Sequence, residues 1–133
     1  MPLVAPDVSE DRMLQYIVNI TAPSLILCRL FVNDLTPDRT TIDTDPVEAT
    51  EAGYAAISLP SWSTVDAGGG LMTAQHPEVT FTLTEGASIY GYYMTNDDGM
   101  VWIERFSGAP FVLPSGGGTI AVTPSLTIDG GGG

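Results

Sequence analysis

Alternation of apolar and polar positions governs the chain after residue 24, and helical spacing is confined to one segment before it. Met13, Leu14, Ile17 and Val18 fall at the three- and four-residue intervals of one helix face. Ser9 stands ahead of them as an N-cap, and Glu10 and Asp11 occupy a first turn whose dipole favours anions. The pattern predicts a short amphipathic helix over residues 9–19, broken by "TAPS" at Pro23. Before it, "MPLVAPD" has two prolines and no periodicity and reads as an extended arm.

Beyond residue 24 the pattern is β-type. "SLILCRLFVN" is an apolar strand ending in the polar turn region "NDLTPDRT", and the acidic stretch "DRTTIDTDPVEATEA" reads as a long loop. "GYAAISL" and "WSTV" are short strands separated by Pro60. "DAGGG" is a turn, and "LMTAQ" and "VTFTLT" flank His76 and Pro77. In "SIYGYYMTNDDGMVWIERF" two alternating segments flank "NDDG", whose turn chemistry predicts a hairpin. "FVLP", "TIAVTP" and "SLTI" follow, then a glycine tail. One helix and about eight short strands predict a mainly β protein, an antiparallel β-sandwich or jelly roll. The expected organisation is an arm and short helix over residues 1–22, the sandwich over 23–128 and a flexible glycine tail over 129–133.

Charge narrows the classes of partner. Sixteen acids face four basic residues, all arginine, for a net charge of −12. Binding to nucleic acid needs basic groups that displace counterions from phosphate, and anionic membrane surfaces need the same. Neither partner is expected. The 44% apolar content is too high for a disordered acidic tail. No apolar run approaches a membrane span, and no secretion signal is visible at the N-terminus. The single cysteine, Cys28, lies in an apolar run and reads as a small buried hydrophobe.

The residues that carry chemistry elsewhere do not combine here into a reactive pattern. His76 is the only histidine, and no "GxSxG" elbow accompanies it. Asp34, Asp38, Asp43, Asp45, Glu48 and Glu51 crowd one region without EF-hand spacing, and read as a solvated acidic loop. No feature pairs two carboxylates across a glycosidic bond. Tyr54, Trp62, Tyr90, Tyr92, Tyr93 and Trp102 fit either a sugar-stacking platform or, more simply, a core. No cofactor and no metal site are expected.

The order of "APSLILCRLFVNDLTP", "TEAGYAAISL", "IYGYYMT", "VWIERF" and "TIAVTPSLTI" resembles a family of small structural proteins of tailed bacteriophages, over residues 14–128. The resemblance implies a virion component without catalysis. The role it implies is capsid decoration, or cement: a protein made in the host cytoplasm that binds the major capsid protein on the outer surface of the head and bridges capsomers. A homo-oligomer, trimer or dimer, is the expected form. Leu3, Val4, Met13, Leu14, Ile17, Tyr54 and Trp62 are the expected partner-interface residues. The alternative is a tail- or fibre-associated protein that binds a host-surface glycan through its aromatic rings.

Overall fold

The computed structural model describes residues 4–129. Among these residues the fold is mainly β: one N-terminal helix, then eleven antiparallel strands in several small sheets, with no closed barrel. The helix α1 spans Asp7–Ile17, and the strands are β1 (Leu27–Phe31), β2 (Ile57–Ser58), β3 (Ser63–Gly68), β4 (Leu71–Gln75), β5 (Val79–Leu83) and β6 (Ala87–Ile89). They continue with β7 (Gly91–Asn96), β8 (Gly99–Arg105), β9 (Phe111–Leu113), β10 (Gly118–Val122) and β11 (Ser125–Asp129). Eleven strands exceed the eight or so expected. "SIYGYYMTN", which carries no Pro or Asn/Asp break before Asn96, is divided at Tyr90 between β6 and β7. These strands pair with different partners, β9 and β8.

A four-stranded sheet in the order β2-β1-β7-β8 forms the centre. The "NDDG" turn joins β7 to β8 as expected: Asn96 pairs with Gly99, leaving Asp97 and Asp98 as a two-residue tip. Strand periodicity gives the sheet two apolar faces. Cys28, Leu30, Tyr92, Met94 and Trp102 pack on one face with Phe81, Leu83, Ile120 and Val122 of β5 and β10. Phe31, Tyr93, Met100 and Ile103 make a second cluster, joined by Val4, Val8, Leu35 and Tyr90. A register shift opposite Met94 and Thr95 inserts one extra residue in β8, so that Val101 and Trp102 both join the first cluster.

The second face needs its own cover, and the N-terminal segment, with Leu35 of the 32–56 loop, provides it. Val4 forms a β-bridge with Ile103, its N–H donating to the Ile103 carbonyl at 2.8 Å and its carbonyl accepting from the Ile103 N–H at 3.0 Å. Residue 4 is therefore part of the chain's own fold rather than of a free arm. The long acidic loop is anchored from within: the Asn33 side chain donates to the Asp45 carbonyl and accepts from the Val47 N–H. Cys28 is fully buried, and burial pushes its thiol up to about 12, which leaves it without nucleophilic character.

Candidate docking surface

Helix α1 meets the sheet through Val8 and, from Ser9 on, through polar side chains. The N-cap is Pro6, so Ser9 lies inside the helix rather than ahead of it. Fully buried, Ser9 donates its hydroxyl hydrogen to the Met100 carbonyl at 3.2 Å. One turn on, Arg12 donates to the same carbonyl at 2.7 Å and to both carboxylate oxygens of Asp43 at 2.9 and 2.7 Å. Another turn on, Tyr16 donates to Asp98 at 2.8 Å and accepts from the Asn96 amide at 2.6 Å. Ser9, Arg12 and Tyr16 form a stripe at three- and four-residue spacing, and each is satisfied by the β7–β8 hairpin or by Asp43. Burial alone would raise the Asp43 carboxyl. The hydrogen bonds from Arg12 and the Met100 N–H, with the Arg12 charge, outweigh it and hold Asp43 below its ordinary value.

Docking by the polar stripe turns the apolar one outward. Leu14 is 61% exposed, Ile17 76% and Val18 61%. The helix then ends in a Schellman motif: Asn19 adopts a left-handed φ of 62°, its N–H bonds the Tyr16 carbonyl, and the Ile20 N–H bonds the Gln15 carbonyl at 2.9 Å. This closure brings Ile20, 73% exposed, back beside the last turn, and Leu25, 55% exposed, follows at the approach to β1. Leu14, Ile17, Val18 and Ile20 thus make an exposed apolar ridge at the end of α1 on a hydrogen-bonded frame. Exposed apolar side chains concentrated in one place mark an interaction surface more reliably than scattered ones.

Acids border the ridge. Asp11, one turn before Leu14, accepts from the Gln15 amide at 2.8 Å. The tip of the β7–β8 hairpin is held on the other side, with Asp98 on Tyr16 and the Asp97 N–H on the Ser24 hydroxyl at 3.0 Å. Tyr16 and Ser24 directly precede Ile17 and Leu25 in the chain. Asp11, Asp97 and Asp98 are all exposed.

The expected interface residues separate into three groups. Leu14 and Ile17 stand on the ridge; Met13 is half-buried at its side. Val4, Tyr54 and Trp62 are built into the chain's own packing. Tyr54 stacks on Phe81 with 5.8 Å between ring centroids, and its hydroxyl donates to Glu48 at 2.7 Å. Trp62 packs edge-on against Trp102 at 5.6 Å and against the His76 ring at 5.5 Å. Leu3 lies outside the described residues. Val18 and Ile20 are further members of the ridge. Val18 belongs to the same apolar period as Leu14, whereas Ile20 comes beside it only through the Schellman turn.

No family model matches this chain, nor does any curated protein or solved structure.

The remaining candidate chemistry is absorbed by the fold. His76 is buried at 7% exposure, and its Nδ1 lies 2.8 Å from the Pro77 carbonyl, which can only accept, so Nδ1 carries the proton. Its Nε2 is sealed from solvent. A depression of about 300 Å³ beside it is lined by Ser61, Ser63, Gln75, Pro77 and Thr123 as well as the ring. Nδ1 is oriented by a backbone carbonyl and not by a carboxylate, which is unlike a catalytic triad. Among the described residues no three acidic, histidine or cysteine side chains are placed to hold a metal ion. In the acidic loop Asp43 serves Arg12, Asp45 accepts from the Ile42 N–H and Asp38 from the Thr40 N–H. Glu48 is not a solvated loop acid either: it accepts from Arg29 at 2.8 Å as well as from Tyr54. The six rings considered for sugar stacking are all buried or half-buried.

Proposed function

We propose that this chain is a non-enzymatic capsid decoration protein of a tailed bacteriophage. In this reading it binds the major capsid protein on the outer surface of the head and bridges neighbouring capsomers. The observation that carries the reading is the ridge of Leu14, Ile17, Val18 and Ile20, exposed on a frame fixed by a helix cap and three side-chain anchors. A surface held in shape before binding loses little conformational freedom on docking. The net charge of −12 supports a place outside the shell, because packaged DNA would repel the chain from the lumen. A homo-oligomer, trimer or dimer, would present several ridges at once, so that modest contacts add into durable attachment at symmetric sites.

The test is the copy number of the protein per purified particle, by quantitative mass spectrometry against the major capsid protein. A simple ratio to the shell protein is the expected result. A handful of copies would overturn the reading and move the protein to the tail.

A further inference from the structure

We infer that the ridge is built for a different protein, one that presents an apolar surface flanked by lysine or arginine, and not for a second copy of this chain. The inference rests on the ridge being the docking face and adds the chemistry of what covers it.

The argument is one of charge supply. The chain has no lysine, and each of its four arginines is already in an ion pair: Arg12 with Asp43, Arg29 with Glu48, Arg39 with Asp7 and Glu10, and Arg105 with Asp34. Five acids therefore engage all the arginines. Asp11, Asp97 and Asp98, which border the ridge, form no ion pair among the described residues. A two-fold contact of ridge on ridge would set these acids against their own counterparts, while every arginine of either copy is already held in an ion pair. An anionic membrane would be repelled on the same ground. A partner whose apolar surface carries a basic border meets both demands at once: it covers the aliphatic side chains and pairs the rim. The homo-oligomer, where it forms, would then use another face.

The probe for the test is a pair of synthetic amphipathic helical peptides with one leucine stripe, flanked by lysines in one and by glutamates in the other. Binding to the full chain is followed by isothermal titration and by amide NMR shifts. The lysine peptide is expected to bind, to move the signals of Leu14, Ile17, Val18 and Ile20, and to weaken as salt rises. The triple substitution Asp11→Asn, Asp97→Asn and Asp98→Asn should weaken it about fivefold to tenfold and remove most of the salt dependence. Sedimentation of the chain alone should be the same with Ile17→Asp as without it. Equal binding of the glutamate peptide, or no binding of either, would overturn the inference. So would loss of an oligomer on Ile17→Asp, or adsorption to phosphatidylserine vesicles through the ridge. A low copy number on the particle with the peptide result intact would refute the decoration reading alone, leaving the basic-bordered partner to be sought elsewhere.

Discussion

Replacing Ile17 by serine should divide folding from docking. Full burial of an aliphatic side chain is worth about 1.5–3 kcal/mol. Ile17 keeps 76% of its surface in solvent, so folding draws on only about a quarter of that worth. The loss of folding stability should therefore lie near 0.4–0.8 kcal/mol, roughly a quarter of the full-burial range. Isoleucine and serine have similar helix propensities, so the backbone adds little of its own. The remaining three quarters, about 1–2 kcal/mol, becomes available when a partner covers the ridge. Removing it should weaken docking about fivefold to thirtyfold per site, and more where several sites act together. Urea denaturation of the free protein measures the first quantity, and rebinding to stripped particles over a concentration series measures the second. A stability loss of about 2 kcal/mol or more would mean that the side chain is already covered in the free chain. Unchanged rebinding would remove the ridge from the docking face.

Other substitutions probe the frame. Alanine at Gly91 would place a methyl group against the Glu104 carbonyl and within 2.6 Å of two Phe31 ring carbons, so Gly91→Ala should cost about 3 kcal/mol or more in the same urea assay. Glu48→Gln weakens the acceptor shared by Arg29 and Tyr54 and should cost about 1–2 kcal/mol, whereas Glu51→Gln should stay within about 0.5 kcal/mol. Equal effects from the two glutamines would refute the anchoring role of Glu48. Asp43 is held below its ordinary value of 3.8, so its contribution is complete above that pH and is lost as the pH falls through the lowered folded-state value. Asp43→Asn should accordingly flatten the acid limb of the stability profile, and hydrogen exchange in α1 should quicken. An unaltered acid limb would show that the Arg12 anchor contributes nothing.

The strands were legible wherever a local pattern decides them. "VTFTLT" became β5, "LMTAQ" β4 and "NDDG" the β7–β8 tip, because alternation and turn chemistry act over neighbouring residues. The helix was legible as an amphipathic segment but not in its orientation. Its polar stripe won the interior because the Met100 carbonyl and Asp98 wait for Ser9, Arg12 and Tyr16 at sequence separations above eighty. No window of residues contains that information. Glu48 reads as solvated in the sequence because neither alternation nor spacing marks its pairing with Tyr54, six residues on, or with Arg29, nineteen residues back. The extra residue in β8, which puts Val101 and Trp102 on one side, is likewise a property of the pair of strands and not of either alone. Of the docking surface, Leu14 and Ile17 were accessible to periodicity, while Ile20 depended on the chain reversal at Asn19.

The engagement of every arginine also governs how the molecule can be handled. Trypsin has four places to cut and no lysine among them. Arg29 and Arg105 lie within strands of the central sheet, Arg12 sits in the helix, and Arg39 alone is in an open segment, with 72% of its side chain exposed. A brief digest of the native chain should nick it after residue 39 and little elsewhere. Cross-linkers that join amines would pass over the whole body of the domain for want of lysine, so contacts on an assembled particle are better trapped through the carboxylates in which this surface is rich.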